Sequence, residues 1–289
     1  MTESWINILT PVIMGLLLGG LYSLIAQGLS LVFGVLKIIN VAHGDLVVLG
    51  SYFAYAAMTT LGVDPFVSLL AGIPLWFAMG YLIQRYLFSR AFKLSIHAPL
   101  IIAFGISLII QNFTQIIWSP MSRGLTPGYI LGGIKITEIS IPTSYLLDFC
   151  SALIVMLVLH LFLKKTYMGK AILASSQDVF AAKLMGINTD LVYEYAFAIA
   201  MTTAVVAGVL LGLTFPFTPV SGSSFLIIAF GVIIIGGLGS MLGTFIGGML
   251  MGLSQTLGGY FAGASTQMLF AYLIILVVLT IRPQGILGR

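Results

Sequence analysis

Few residues in this chain can do chemistry, and they stand in small groups. The first is Asn40-Val41-Ala42-His43-Gly44-Asp45, an amide, an imidazole and a carboxylate within one short segment. Asn40 is a candidate N-cap for a following helix, with Asp45 in its first turn, where a negative charge suits the helix dipole. Two readings stay open here. One is a capped loop at a membrane interface. The other is a break within a span, flanked by Gly34 and Gly44, of the kind through which transporters present polar groups to a solute. An ionisable group at the bilayer centre costs at least ~2.5–3.5 kcal/mol, so His43 and Asp45 need a reason if they lie deep. The other acid near a span is Asp148, towards an outer end, and His97 and His160 stand alone near span ends. There is no GxxxxGK[ST] phosphate loop, no Ser–His–Asp set and no cluster with metal-ligand spacing. The single Cys150 excludes a disulfide within the chain.

The second group is a polar island, Lys164 to Glu194. It carries Lys164, Lys165, Lys170, Asp178, Lys183, Asp190 and Glu194, seven charged residues between long apolar runs. Within it, Gln177 to Gly186 reads as a short helix with Asp178 in the first turn and Gly186 at its end. Phe180, Leu184 and Ile187 recur at helical spacing as one apolar stripe. Ala181, Ala182 and Gly186 are small, so another surface can come close. Such a helix lets a soluble partner push on a membrane domain. The plainer readings are a helix lying on lipid, or an inert connector.

The elements that must position these groups follow from composition. The chain is 60% hydrophobic and 7% charged, with mean hydropathy +1.14. Soluble domains carry roughly 25% charge. About 20 apolar residues cross a bilayer, and the continuous runs exclude a β-barrel. The expected fold is an all-α polytopic membrane protein, one domain over residues 1–289. It has eight or nine transmembrane helices, near 9–34, 44–62, 66–88, 97–119, 144–163, 193–215, 225–238, 241–259 and 266–282. Discontinuous or re-entrant elements are expected near 34–45 and 216–240. The N-terminal residues read as a short tail before the first span rather than a signal peptide.

Under nine spans, ten of the 12 Lys and Arg fall on one side and only Arg123 and Lys135 on the other. This excess marks the first side as cytoplasmic, with the N-terminus outside and the C-terminus inside. The island at 164–194 is then cytoplasmic. The segment 119–143 becomes the external loop, rich in Pro and Gly, with a small hairpin or cap in IKITEISIP. The net charge of +4 is not a nucleic-acid signal.

Glycines form a further pattern. Gly239, Gly243 and Gly247 are spaced by four, as are Gly248 and Gly252. Small residues at this spacing let membrane helices pack backbone to backbone. Gly236-Gly237-Leu238-Gly239-Ser240 marks a break in chain direction, and Pro216, Pro219 and Gly222 mark another. Packing within the chain is one reading. The alternative is a subunit interface, or a second discontinuous element that brings Gly239 and Ser240 to a translocation path.

Four segments resemble one family, in order, over nearly the whole chain. They are Gly28–Tyr52, Gly169–Asn188, Ala229–Gly248 and the terminal IRPQGILGR. The chain resembles the membrane-spanning permease subunit of branched-chain amino-acid ABC importers, the shorter of the two that such importers pair. The resemblance implies a homologous second permease, two cytoplasmic ATPase subunits and an extracytoplasmic solute-binding protein, in a bacterial inner membrane. ATP and Mg2+ would bind the ATPase subunits, with no cofactor on this chain and no enzymatic activity of its own. It implies a coupling helix contacting the ATPase through Gly169, Gln177, Asp178, Ala181, Ala182 and Gly186. The family's NxAHGD-like segment falls on Asn40, His43, Gly44 and Asp45. Val179-Phe180 stand where the family commonly has Glu or Arg, which implies a more apolar coupling surface. The family also includes urea and amide permeases. An ion-coupled secondary transporter is the rival from another class, disfavoured by the scarcity of acids within the spans.

Overall fold

The computed structural model describes residues 2–95, 97–130, 132–136 and 139–288. Arg289 and the turn of the expected hairpin lie outside them. The apolar runs become helices because every backbone N–H and C=O must find a partner inside the segment where water is absent. α1 is Thr2–Leu36, α2 His43–Leu61 and α3 Pro65–Ile83. α3 continues through a π-helical turn at Gln84–Phe88 into α4, Ser89–Leu94, and α5 is Ala98–Trp118. A hairpin follows, β1 Gly133–Ile136 antiparallel to β2 Ile139–Pro142, with Ile134 opposite Ile141. Then come α6 Thr143–Lys165, α7 Tyr167–Gln177, α8 Val179–Leu184 and α9 Thr189–Thr214. α10 Gly222–Gly236, α11 Met241–Ala262 and α12 Gln267–Ile281 complete the chain.

Among the described residues, six helices are long and apolar enough to cross a membrane, or up to seven if the α10–α11 pair is one span. That is fewer than the eight or nine expected. α2 opens on His43, Gly44 and Asp45, which dilute its hydropathy, and α10 has only 15 residues. α10 and α11 are bent by 116° across residues 237–240. Gly237 and Gly239 make that bend at φ 101° and 81°, a region open to glycine at little cost.

α1 and α9 form the centre. Leu21, Leu24, Ile25, Val209, Leu210 and Leu211 are fully buried there. The hydrophobic window of α9 is 83% buried, against 22% for α5 and 6% for α12, so the latter two are peripheral. Side-chain hydrogen bonds tie the central helices together, as is common where a polar group has no water. Tyr22 donates its hydroxyl to Gln255 Oε1 at 2.7 Å, and Ser51 donates to the Gly208 carbonyl at 2.6 Å. The last residues add to the end of α10: Ile286 N–H bonds Ile235 O and Leu287 N–H bonds Gly236 O. These satisfy carbonyls that a helix C-terminus leaves open.

Candidate functional site

The glycines of α11 pack within this chain, on two faces. Gly243 and Gly247 lie against Val232 and Gly236 of α10. Gly248 and Gly252 lie against Gly15, Gly19 and Ser23 of α1. A Cβ on Gly248 would stand 2.6 Å from the Gly19 carbonyl oxygen, so the two backbones approach as closely as sterics allow. Two faces arise because Gly247 and Gly248 are adjacent and diverge by one helical step. Ser240 is the N-cap of α11 and accepts the Gly243 N–H at 3.1 Å. Gly239 faces Gly34 of α1. Both Gly239 and Ser240 border a cavity of about 630 Å3 that Lys37, His160, Lys164 and Gln177 also line.

Asp45 stands where three elements meet. It is buried, 2% exposed, in the first turn of α2. Ser107 of α5 donates its hydroxyl to Oδ2 at 2.6 Å. Gln111, one turn later on α5, donates from Nε2 to Oδ1 at 3.1 Å. The first turn of α10 closes the group from the other side. A side chain on Gly44 would collide with the Gly222 carbonyl, and one on Gly222 with the Asp45 carboxylate. The two helix N-termini therefore touch because positions 44 and 222 carry no Cβ. Ser107 lies midway along α5, so this junction sits level with the middle of a 21-residue apolar helix.

His43 is buried and donates from Nε2 to the Ile25 carbonyl at 2.8 Å, fastening the start of α2 to the middle of α1. Asn40 does not cap α2. The N-cap position is Ala42, whose backbone is already helical at φ −73° and ψ −8°, with no side-chain cap bond. Asn40 instead gives its backbone carbonyl to the His43 N–H and keeps a buried side chain with Oδ1 unpartnered. Asp148 is fully buried; Thr214 donates to its Oδ2 at 2.7 Å.

The polar island folds as two helices rather than one. Gln177 ends α7, and the chain breaks at Asp178. Asp178 is the N-cap of α8, not a first-turn residue: its Oδ1 accepts the N–H groups of Phe180 and Ala181 at 2.8 and 2.9 Å. An extended N-cap residue is what lets a short carboxylate reach both donors. The expected stripe is split: Ile187 is partly buried against the core, while Phe180 and Leu184 do not pack inward. Phe180 is 72% exposed and Leu184 73%, while Ala182 is the buried residue. A six-residue helix lying on the protein buries its smallest face, since a small side chain permits the closest approach. Gly186 ends the element at φ 81° with open space around it. Gly169, at the start of α7, packs on the Phe162 carbonyl and Leu163. Of the six expected contact residues, Gly169 and Ala182 thus serve packing, Asp178 and Gly186 shape the ends of α8, and Gln177 and Ala181 are exposed.

Similarity to known proteins decides the family. A family model described as branched-chain amino acid transport system / permease component matches residues 12–279. The chain belongs to this family. The permease is 33% identical to the high-affinity branched-chain amino acid transport system permease protein BraD of Pseudomonas aeruginosa, over 97% of this chain and 96% of the relative. It is 31% identical to LivH of Escherichia coli K12, over 100% and 98%. Among solved structures, PsaBC from Streptococcus pneumoniae in complex with Fab shares the fold, with TM-score 0.52 at 16% identity, covering 98% and 97%.

Sequence reading missed Ser107, Gln111 and Gly222 as members of the Asp45 group. A signal existed for two of them: Ser107, Gln111 and Gln115 recur every fourth residue in an otherwise apolar span. None existed for Gly222, whose role arises only from meeting Asp45 across the fold.

Proposed function

We propose that this chain is a membrane-spanning subunit of an ATP-driven importer that moves branched-chain amino acids inward by alternating access. In this reading it pairs with a homologous permease, above two cytoplasmic ATPase subunits and below an extracytoplasmic solute-binding protein, in a bacterial inner membrane. The observation that carries the coupling role is α8. It holds Phe180 and Leu184 out to solvent, with Met185 beside them at 83% exposed. An apolar patch of this kind marks an interaction surface. Family membership and the missing phosphate loop supply the rest: the energy for uphill movement comes from a partner.

Eight or nine crossings complete the arrangement, with α2, α10 and α11 supplying those beyond the six. The N-terminus lies outside, 119–143 is external and 164–194 cytoplasmic. The contacts of Asp45 with mid-α5 support a discontinuous start for both α2 and α10 within the membrane. A zwitterion loses many kcal/mol on entering hydrocarbon, and polar groups at broken helices lower that cost.

The test is uptake by the complete complex in proteoliposomes, with leucine and its cognate binding protein. Accumulation that requires ATP inside and survives collapse of ion gradients is the expected result. Uptake driven by an ion gradient without ATP would end this reading, and transport of urea or acetamide in place of leucine would change the substrate.

A further inference from the structure

Two candidate spans, α1 and α6, end at Leu36 and Lys165. The last turns of both line the cavity of about 630 Å3, together with the second half of α7 and the bend between α10 and α11. Lys37, Lys164 and His160 are among its lining residues, and among the described residues no Asp or Glu lines it. Neither lysine ammonium has an ion-pair or hydrogen-bond partner among the described residues. Asp178 follows the lining residue Gln177, but its Oδ1 is engaged by the Phe180 and Ala181 N–H groups. Lys37 stands at φ 56°, a left-handed conformation that non-glycine residues seldom adopt. That turn ends α1 and brings Lys37 to the cavity wall. Charges of one sign over low-dielectric walls concentrate their field in the space between them. Much of the rest is apolar. Leu31, Val35 and Leu163 are buried, while Leu238, Leu242 and Leu287 are exposed.

We infer that this cavity holds the headgroup of an anionic phospholipid from the leaflet on the polar-island side, its phosphate balanced by Lys37 and Lys164 and its acyl chains covering the exposed leucines. The inference rests on the membrane placement of α1 and α6, and not on which solute is carried. The ends of two spans stand at headgroup level, where basic pockets between membrane helices take such lipids. The chemistry has two parts. The lysines call for an anion, and a free inorganic anion would gain nothing from the leucines. A phospholipid uses both. Phosphatidylglycerol leaves its phosphate charge unopposed, whereas the choline of phosphatidylcholine adds a cation that the lysines repel. Gln177 and the His160 ring offer side-chain donors and acceptors to the glycerol hydroxyls.

Lipid retention by the complete complex tests this. The complex is reconstituted in vesicles of equal parts phosphatidylglycerol and phosphatidylcholine and extracted in mild detergent. Native mass spectrometry then counts the lipids that stay bound. The unmodified complex should keep phosphatidylglycerol in preference to phosphatidylcholine. Lys37→Asn combined with Lys164→Gln should lower that preference by about tenfold or more, since each lysine near the surface contributes to binding an anionic headgroup. Asn tolerates the left-handed backbone at position 37, so the change removes charge with little strain. Arg90→Gln combined with Lys93→Gln is the control. Both are exposed in α4, on the same side as the island because Phe92 packs on Tyr193, and neither lines the cavity. This pair should leave the preference unchanged. Leu242→Trp fills the cavity without altering charge and should also lower retention, which keeps the test open if the lysine pair does not assemble. No preference in the unmodified complex, an equal loss in the control pair, or retention unaffected by Leu242→Trp would overturn the inference. So would displacement of the lipid by inorganic phosphate at constant ionic strength, which would make this a site for a soluble anion. Leucine uptake is measured in parallel: retention that follows the lysines without any uptake would strike the transport reading and leave this inference standing.

Discussion

At the level of single residues, Asp45 is buried and held by two side chains of α5, Ser107 and Gln111. Ser107→Ala removes one hydrogen bond to the buried Asp45 side chain, and leaving a buried acceptor short of a partner costs about 1–3 kcal/mol. We expect slower uptake with the complex still assembled, measured as the initial rate of leucine entry against subunit yield. Asp45→Asn should lower uptake while the protein still inserts, since an amide has one acceptor oxygen where the carboxylate accepts from both Ser107 and Gln111. Unchanged uptake in Asp45→Asn would return this carboxylate to a structural role. Gly222→Ala forces a methyl into the Asp45 carboxylate. Overpacking costs about 1–3 kcal/mol, so a lower unfolding temperature of the purified subunit is expected together with lost transport. A similar cost is expected for Gly248→Ala, where the α1 and α11 backbones must part, but without a direct effect on the Asp45 group.

At the level of elements, α8 is the piece whose sequence and surroundings disagree most usefully. A helix with Phe180 and Leu184 turned outward would be poorly designed if solvent were its only neighbour. Phe180→Asp should leave insertion and thermal stability intact, because the side chain packs on little in this chain, and should uncouple ATP hydrolysis from uptake. Co-purification of the ATPase subunits measures it directly: full retention with normal uptake would remove α8 from the docking surface. Gly186 is a less clean probe than its position in the motif suggests. At φ 81° any side chain is strained by about 1–2 kcal/mol, so Gly186→Trp would mix a backbone effect with a docking effect. Asp178→Ala tests the same element from its other end. Losing a cap that serves two N–H groups costs roughly 0.5–2 kcal/mol, enough to loosen a six-residue helix without touching the membrane core.

At the level of the whole molecule, the helices sort into a buried centre and a periphery left for partners and lipid. Periodicity along the apolar runs makes the helical membrane class legible in the sequence, and the placement of Lys, Arg and the acids does the same for the polar island at 164–194. Those features depend on local composition, and local composition is what a sequence displays. The α8 cap is half legible: Asp178 and Gly186 carry end signals, but the break after Gln177 carries none, because one extended residue leaves no mark on helical spacing. The glycine pattern is legible as close packing, though not as two faces, since spacing says that helices meet and not which helices. Asp45 stands out in the sequence by type alone. What gives it a role is the arrival of Ser107 and Gln111 from α5 and of Gly222 from α10. The sequence by itself determined a helical membrane permease of a recognisable family, because burial in lipid demands continuous apolar helices and a family keeps its motifs in order. Only the tertiary structure decided that two helix starts touch at a carboxylate level with the middle of α5, because contacts between segments far apart in the chain arise from packing.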